Sequence, residues 1–220
     1  MIYIAGLGAS DVEQLPLGVV AYLKKGYNIF LRTDCHPMVT FFKENNIAYT
    51  SFDSIYEKYS TFEKVYEVII QTLLEKERQY TDILYCVPGH PCVAEYTVKV
   101  LLDKTNCKIV GGQSFLDSMF AALKIDPIDG LQVMDALNFE VKKVNKNGHL
   151  FIPQVFDQLV ASNLKLDLME IYPDDQPICI VKQAGSKNQQ LKYCKLFELD
   201  YDFEINNLLT VYIPPIINNG

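Results

Sequence analysis

Arginine is nearly missing from this chain: Arg32 and Arg78 are the only two among 20 basic residues in 220. Arginine is the side chain that grips carboxylates and phosphates in a two-pronged fork, so a heavily anionic ligand would be met here by lysines and backbone amides. A basic excess is also missing. The net charge of −7 excludes the broad cationic footprint of a nucleic-acid-binding surface. No CxxC pair occurs; Cys35, Cys86, Cys92, Cys107, Cys179 and Cys194 mostly lie in apolar runs, which predicts reduced core thiols in a cytoplasmic protein. No run reaches the ~18 apolar residues of a membrane span, and Met1 opens into an apolar strand rather than a basic leader, so no membrane partner is expected. His36, His90 and His149 are scattered without ligand spacing, and no metal is expected. What is present is ordinary for a packed globular chain, 49% hydrophobic and 21% charged.

The apolar pattern alternates strands and helices through the first half. It predicts strands at 2–5, 28–31, 48–52, 83–87 and 107–110, and helices at 12–25, 37–43, 61–78, 92–103 and 114–123. In 61–78, Phe62, Val65, Ile69 and Leu73 share one face while Glu63, Lys64, Glu67 and Lys76 face outward. Such alternation calls for parallel βαβ units. After Gly112 hairpin-like strands dominate, at 132–134, 149–152, 177–183, 191–199 and 208–213, with a helix entered at Pro153, a good first helical residue. The expected class is α/β with two domains: residues 1–112 around a mainly parallel sheet, and 113–220 around a mixed sheet. Pro214-Pro215 reads as the start of a linker leading beyond residue 220.

Three loops follow predicted strands: Gly6-Leu7-Gly8-Ala9-Ser10-Asp11, Pro88-Gly89-His90-Pro91, and Gly111-Gly112-Gln113-Ser114-Phe115. Loops at the carboxyl ends of parallel strands are where open α/β sheets bind ligands. Glycine lets a ligand approach the backbone, and proline holds the loop shape. Ser114 reads equally as a plain helix cap. Gly6-x-Gly8-x-x-Asp11 is not a dinucleotide fingerprint, because the third glycine is absent and no acidic residue ends the second strand. Arg32 stands near that position and keeps a 2′-phosphate of NADP as a minor alternative. No P-loop and no Ser/His/Asp or Cys/His nucleophile pattern is visible. Asp174 and Asp175, adjacent on extended chain, point opposite ways and read as a turn. Tyr3, Tyr85 and Phe115 are candidates to line a pocket, although aromatics on strands are more often core.

Taken in order, the motifs resemble the tetrapyrrole (corrin/porphyrin) methylases, the class III S-adenosylmethionine-dependent methyltransferases. The residues that carry the resemblance are Ile4-Ala5-Gly6-Leu7-Gly8-Ala9-Ser10-Asp11 with Leu15-Pro16, Val87-Pro88-Gly89-His90-Pro91, Val110-Gly111-Gly112-Gln113-Ser114-Phe115, Leu150-Phe151-Ile152-Pro153-Gln154 and Pro177-Ile178-Cys179-Ile180-Val181-Lys182-Gln183-Ala184-Gly185. Arg32-Thr33 before His36-Pro37, the stretch 152–162 and Tyr172-Pro173-Asp174-Asp175 are similar to the amino-terminal methylase-like domain of YabN/MazG-type fusion proteins.

The resemblance implies two α/β domains with an S-adenosyl-L-methionine cleft between them, S-adenosyl-L-homocysteine as product, and a homodimer. It also implies methyl transfer to a tetrapyrrole-like or other small-molecule acceptor. Cofactor contacts would fall on Gly8, Ala9, Pro88, Gly89, His90, Val93, Ser114, Phe115, Ile152 and Ala184, several through backbone atoms. Acceptor-side catalytic candidates are Thr33, His36 and His90. Two positions depart from the family pattern: its Gly-Asp-Pro is Gly89-His90-Pro91 here, and the acidic residue that ends the second strand of uroporphyrinogen methylases falls on Thr33. The alternative is a non-catalytic S-adenosylmethionine-binding domain that regulates a MazG-type nucleotide pyrophosphohydrolase fused beyond residue 220.

Overall fold

The first strand, β1 (Ile2–Gly6), is buried on both faces apart from a partly exposed Tyr3, as befits a central strand of a parallel sheet. A computed structural model describes residues 1–8, 11–201 and 209–216. Within them the chain divides into two compact units, Met1–Ser118 and Met119–Gly220. In the first unit β1 is followed by α1 (Leu17–Leu23), β2 (Asn28–Leu31), α2 (Val39–Glu44), β3 (Thr50–Ser51), α3 (Asp53–Lys58), α4 (Phe62–Tyr80), β4 (Ile83–Val87), α5 (Tyr96–Lys104) and β5 (Cys107–Gly111). The strands form one sheet in the order β3-β2-β4-β1-β5, and every pair is parallel.

Alternate side chains of each strand face opposite ways, so the sheet separates two cores. Ile2, Ile4, Ile83, Tyr85 and Val87 pack with Val65, Ile69 and Leu73 of α4 and with Val98 and Leu101 of α5. Ala5, Ile29, Leu31, Leu84 and Cys86 pack on the other face with Val19 and Leu23 of α1 and Val39 and Phe42 of α2. Neighbouring strands β1 and β4 therefore send their following helices to opposite faces. That is the switch point beside which open α/β sheets leave a crevice at their carboxyl ends.

Two predicted helices are shorter than their apolar periods. Residues 12–25 form a 3-10 turn at Val12–Gln14 and then α1, separated by Pro16, which has no N–H to continue the first turn. Residues 92–103 become helical only at Tyr96, because Ala94 takes a left-handed φ of 53° and Glu95 then caps α5 through Thr97 N–H at 3.3 Å.

The chain leaves the first unit within α6 (Phe115–Leu123). The second unit contains β6 (Leu131–Val133), β7 (His149–Pro153), α7 (Gln158–Met169), β8 (Pro177–Lys182), β9 (Gln190–Lys195) and β10 (Leu209–Ile213). Its sheet runs β6-β7-β10-β8-β9, with β6 parallel to β7 and the other pairs antiparallel. Ala161, Leu164 and Leu168 of α7 pack on Leu150, Ile152, Ile178, Ile180 and Val211.

Pro153 does not open a helix. It is the last residue of β7, paired with Thr210, and α7 begins five residues on. The reason is that Asp157 offers what Pro153 lacks, a carboxylate that accepts Val160 N–H at 2.8 Å. The strand expected at 191–199 ends at Lys195, whose N–H donates to the Glu198 carboxylate at 2.8 Å and closes a 3-10 turn. Ile216 is not free chain: its N–H donates to Lys146 O at 2.9 Å and its side chain packs on the second core. The rest of the expected linker, residues 217–220, lies outside the described residues.

Candidate functional site

The loops after β1, β4 and β5 meet backbone to backbone. Leu7 N–H donates to Val87 O at 2.8 Å, and Gly8 and Gly89 exchange N–H to carbonyl bonds of 3.2 and 2.8 Å. A Cβ on Gly6 would lie 2.2 Å from Gly89 O and 2.9 Å from Gly112 Cα, and one on Gly112 would lie 2.6 Å from Gly6 Cα. No side chain fits between these strands, which is why both positions are glycine. Gly8 (φ 79°), Gly89 (φ 64°) and Gly111 (φ 121°) differ: a Cβ there would meet nothing within 4 Å. Gly6 and Gly112 close the junction, and the other three hold left-handed backbone with open space before it.

His36 braces this junction. Its Nδ1 accepts Met38 N–H at 3.2 Å, so Nε2 carries the proton and donates to Gly8 O at 3.0 Å. Burial pushes the imidazole below its ordinary pKa of 6.5, with the Gly8 bond acting the other way. The unfolded chain therefore takes up this proton first, and the stability that neutral His36 contributes is complete above pH 6.5 and lost as pH falls through the range below it. Urea unfolding at pH 7.5 and 5.5 is expected to show that loss, and His36→Gln is expected to shrink it. An unchanged pH slope in the variant would refute this role.

At the end of β2 the Thr33 hydroxyl donates to Asp53 Oδ1 at 2.6 Å, and Asp34 N–H donates to Asp53 Oδ2 at 2.8 Å. The hydrogen bond with Asp53 raises the Asp34 carboxyl. Burial works against the Asp53 charge, but Thr33 and the Asp34 N–H hold that carboxyl below its ordinary range. Sequence reasoning missed both acids. Asp34 was visible as the neighbour of Thr33, whereas Asp53 arrives only because β3 pairs with β2, Leu31 opposite Ser51.

Arg32 is not available to a 2′-phosphate. Its Nη1 is ion-paired with Glu95 Oε2, Nε donates to Tyr56 OH at 2.6 Å, and Nη2 donates to Tyr66 OH at 3.3 Å. Burial disfavours the guanidinium charge, but the Glu95 carboxylate more than restores it and the pKa is raised. Glu95 Oε1 accepts the Thr97 hydroxyl at 2.7 Å, and that hydroxyl meets Tyr85 OH at 2.9 Å. Tyr85 is 0% exposed and belongs to the core rather than to a pocket wall. Tyr3 packs against Tyr22 and Tyr27, at ring distances of 5.3 and 5.0 Å.

The remaining predicted residues are placed as follows. Pro88, Gly89, His90 and Val93 are half-buried in the loop after β4, and His90 Nδ1 accepts Cys92 N–H at 3.1 Å. Ser114 caps α6: its hydroxyl accepts Leu116 N–H at 3.1 Å and its own N–H donates to Asp117 at 2.8 Å. Phe115, the first residue of α6, is half-buried. Gln113 Oε1 and Ser118 Oγ on either side of this cap are buried without a partner among the described residues. Ile152, 0% exposed, gives its side chain to the second core and offers a ligand only backbone. Ala184 is half-buried one residue beyond the left-handed Gln183. Ala9 lies outside the described residues.

The family description Tetrapyrrole (Corrin/Porphyrin) Methylases matches residues 1–200. The chain belongs to that family. It is 44% identical over 220 residues to the uncharacterized protein YabN of Bacillus subtilis (strain 168), across 98% of this chain and 45% of YabN. The chain spans about half the length of the curated relatives it matches. In fold it is similar to the uroporphyrin-III C-methyltransferase of Thermus thermophilus complexed with S-adenosylhomocysteine (TM-score 0.66, 14% identity, 97% of this chain and 91% of that one). It is also similar to diphthine synthase (TM-score 0.70, 14% identity, 98% of this chain and 90% of that one). As expected from the sequence motifs, the fold is that of the tetrapyrrole methylases: two α/β units, one with an all-parallel sheet and one with a mixed sheet.

Proposed function

We propose that this chain binds S-adenosylmethionine and transfers its methyl group to a tetrapyrrole-like or other small-molecule acceptor. The observation that carries the reading is the glycine junction: open, left-handed backbone at Gly8, Gly89 and Gly111 beside the switch point of a parallel sheet. The cradle fits the cofactor chemically, since the side-chain-free space at Gly8, Gly89 and Gly111 admits a ligand to the backbone, and the Gln113 and Ser118 oxygens, without a partner among the described residues, suit a polar neutral ligand edge. Gly8, Pro88, Gly89, His90, Val93, Ser114 and Phe115 would hold it from the first unit. Ala9 stays in the proposal on family resemblance alone, as do Ile152 and Ala184 of the second unit.

When bound, the cofactor supplies a methyl group activated by a sulfonium centre. The chain's task is alignment and exclusion of water, which needs no catalytic triad. In neutral His90, Nδ1 accepts from Cys92 N–H, so Nε2 is a hydrogen-bond donor rather than a base. Thr33 is committed to Asp53, which makes the Asp34–Asp53 pair the proton acceptor nearest to it. His36, engaged at both nitrogens, serves the junction. The same reading places the protein in the cytoplasm as a homodimer.

A second reading, a non-catalytic cofactor-binding domain regulating a MazG-type hydrolase, is favoured by one observation: the family's acidic position is Thr33, and its hydroxyl is spent on Asp53. Calorimetry with S-adenosylhomocysteine is expected to show micromolar binding under both readings, and its absence would sink both. Methyl transfer to any member of an acceptor panel then selects the first; binding without turnover selects the second.

A further inference from the structure

At the amino end of the parallel sheet, opposite the glycine junction, tyrosines from three parts of the chain meet. Tyr3 is the second residue of β1, Tyr22 lies in the last turn of α1, and Tyr27 directly precedes β2. After α1 the chain turns at Gly26, with φ 79°, and Tyr27 comes back beside Tyr22. The ring centroids stand 5.3 Å (Tyr3–Tyr22), 5.0 Å (Tyr3–Tyr27) and 6.2 Å (Tyr22–Tyr27) apart. All three rings are half-buried against the core that α1 and α2 share.

Two exposed lysines converge on one of these rings. Lys25 Nζ stands 3.7 Å from the Tyr22 centroid, and Lys108 Nζ 5.9 Å. Lys108 belongs to β5, where it is the register partner of Tyr3, so the two side chains share a face of the sheet. Neither lysine has a carboxylate partner among the described residues. Asp82, whose field reaches Tyr27, is ion-paired with the Met1 ammonium at 3.2 Å. The hydrogen bond with Lys108 lowers the Tyr22 phenol against burial, and the charges of Lys108 and Lys25 add to that pull. One aromatic ring accommodates one ammonium. A second beside it brings a repulsion that no acid here offsets, although acids outnumber bases in the chain by seven.

We propose that Lys25, Lys108 and the Tyr22 hydroxyl form a binding site for the phosphate group of a small aromatic phosphate ester. A phosphate monoester carries about −1.5 to −2 charges at neutral pH, which matches two ammonium groups, whereas a carboxylate would leave one of them uncompensated. Lysine binds phosphate as a point charge, so the site does not need the arginine fork that this chain lacks. The rings of Tyr22 and Tyr27, 21° from parallel, give the aromatic part of the ester a wall to lie against. This site is separate from the glycine junction. Five residues of extended chain, about 16 Å, separate Tyr3 from Gly8, and the inference does not depend on the cofactor reading.

The test is calorimetry at constant ionic strength with phenyl phosphate and with inorganic phosphate. It compares the wild-type chain with Lys25→Met, Lys108→Met and, as a control for net charge, Lys24→Met. The wild type is expected to bind phenyl phosphate at one site with a Kd below about 1 mM, and inorganic phosphate more weakly. Lys25→Met and Lys108→Met are each expected to weaken phenyl phosphate binding about tenfold, the size of a lost charged hydrogen bond. Lys24→Met, one residue from Lys25 and equally exposed, is expected to bind like the wild type. Melting temperatures should not move, because all three lysines are exposed. A wild type that binds neither probe, or equal affinities in the wild type and both site variants, overturns the inference. Equal weakening by Lys24→Met also overturns it, because net charge and not a site would then govern binding.

Discussion

Gly6→Ala is expected to destabilise the first unit by about 3 kcal/mol or more, at or beyond the upper end of the usual cost of overpacking. The size follows from what the added methyl meets. At 2.2 Å from Gly89 O and 2.9 Å from Gly112 Cα, it collides with backbone of two other strand ends, and no flexible side chain can swing away. The strands themselves must part, and β1 and β4 are the buried middle of the sheet. Since whole domains are stable by only about 5–15 kcal/mol, the urea midpoint should fall sharply. Binding of S-adenosylhomocysteine should fall with it, because Gly8 and Gly89 are positioned by the same contact. Gly18→Ala is the matched control: the site is inside α1 and a Cβ there meets nothing within 4 Å, so a gain of about 0.5–1 kcal/mol is expected. A Gly6→Ala protein with the wild-type midpoint would show that the three loops do not pack as described.

Arg32→Met is expected to cost about 3–5 kcal/mol, the range for removing one partner of a buried pair. Glu95, with a side chain only 4% exposed, would be left with Thr97 as its donor and no cation beside it. The damage would be local to the site, because Glu95 caps α5 while Arg32, whose own N–H bonds Cys86 O at 2.9 Å, directly follows β2. Together they fasten the two ends that bracket the Pro88–His90 loop. The double variant Arg32→Met, Glu95→Gln removes both charges and is expected to recover much of the loss. If the double variant is as unstable as the single one, loss of packing by the arginine stem rather than an orphaned carboxylate explains the effect. Denaturant midpoints of the four proteins of this cycle decide the matter.

The parallel sheet was legible because its evidence is local. Runs such as Ile83–Val87 are apolar on both faces, and the apolar period of α4 repeats from Phe62 to Leu73, about three turns. The glycine loops were legible as motifs for the same reason. Their division of labour was not: Gly6 and Gly8 look alike in sequence, yet one is closed by Gly89 O and Gly112 while the other faces open space. Arg32 offered a phosphate ligand on paper because its partner lies 63 residues away. Asp53 gave no signal at all, since only the β2–β3 pairing carries it to Thr33.

Helix ends failed where a side-chain cap competed with an apolar period. Pro153 looked like a helix start until Asp157 was seen to cap α7, and 92–95 looked helical until Ala94 turned left-handed before Glu95. By itself the sequence determined the two kinds of sheet, the order of the strand-end loops and the family, because short-range periodicity and contiguous motifs encode them. Only the tertiary structure decided which glycines touch, that Arg32 is spent on Glu95, and where the carboxylates stand. Those facts depend on strands far apart in the chain lying side by side, and no window along the sequence contains both members of such a pair.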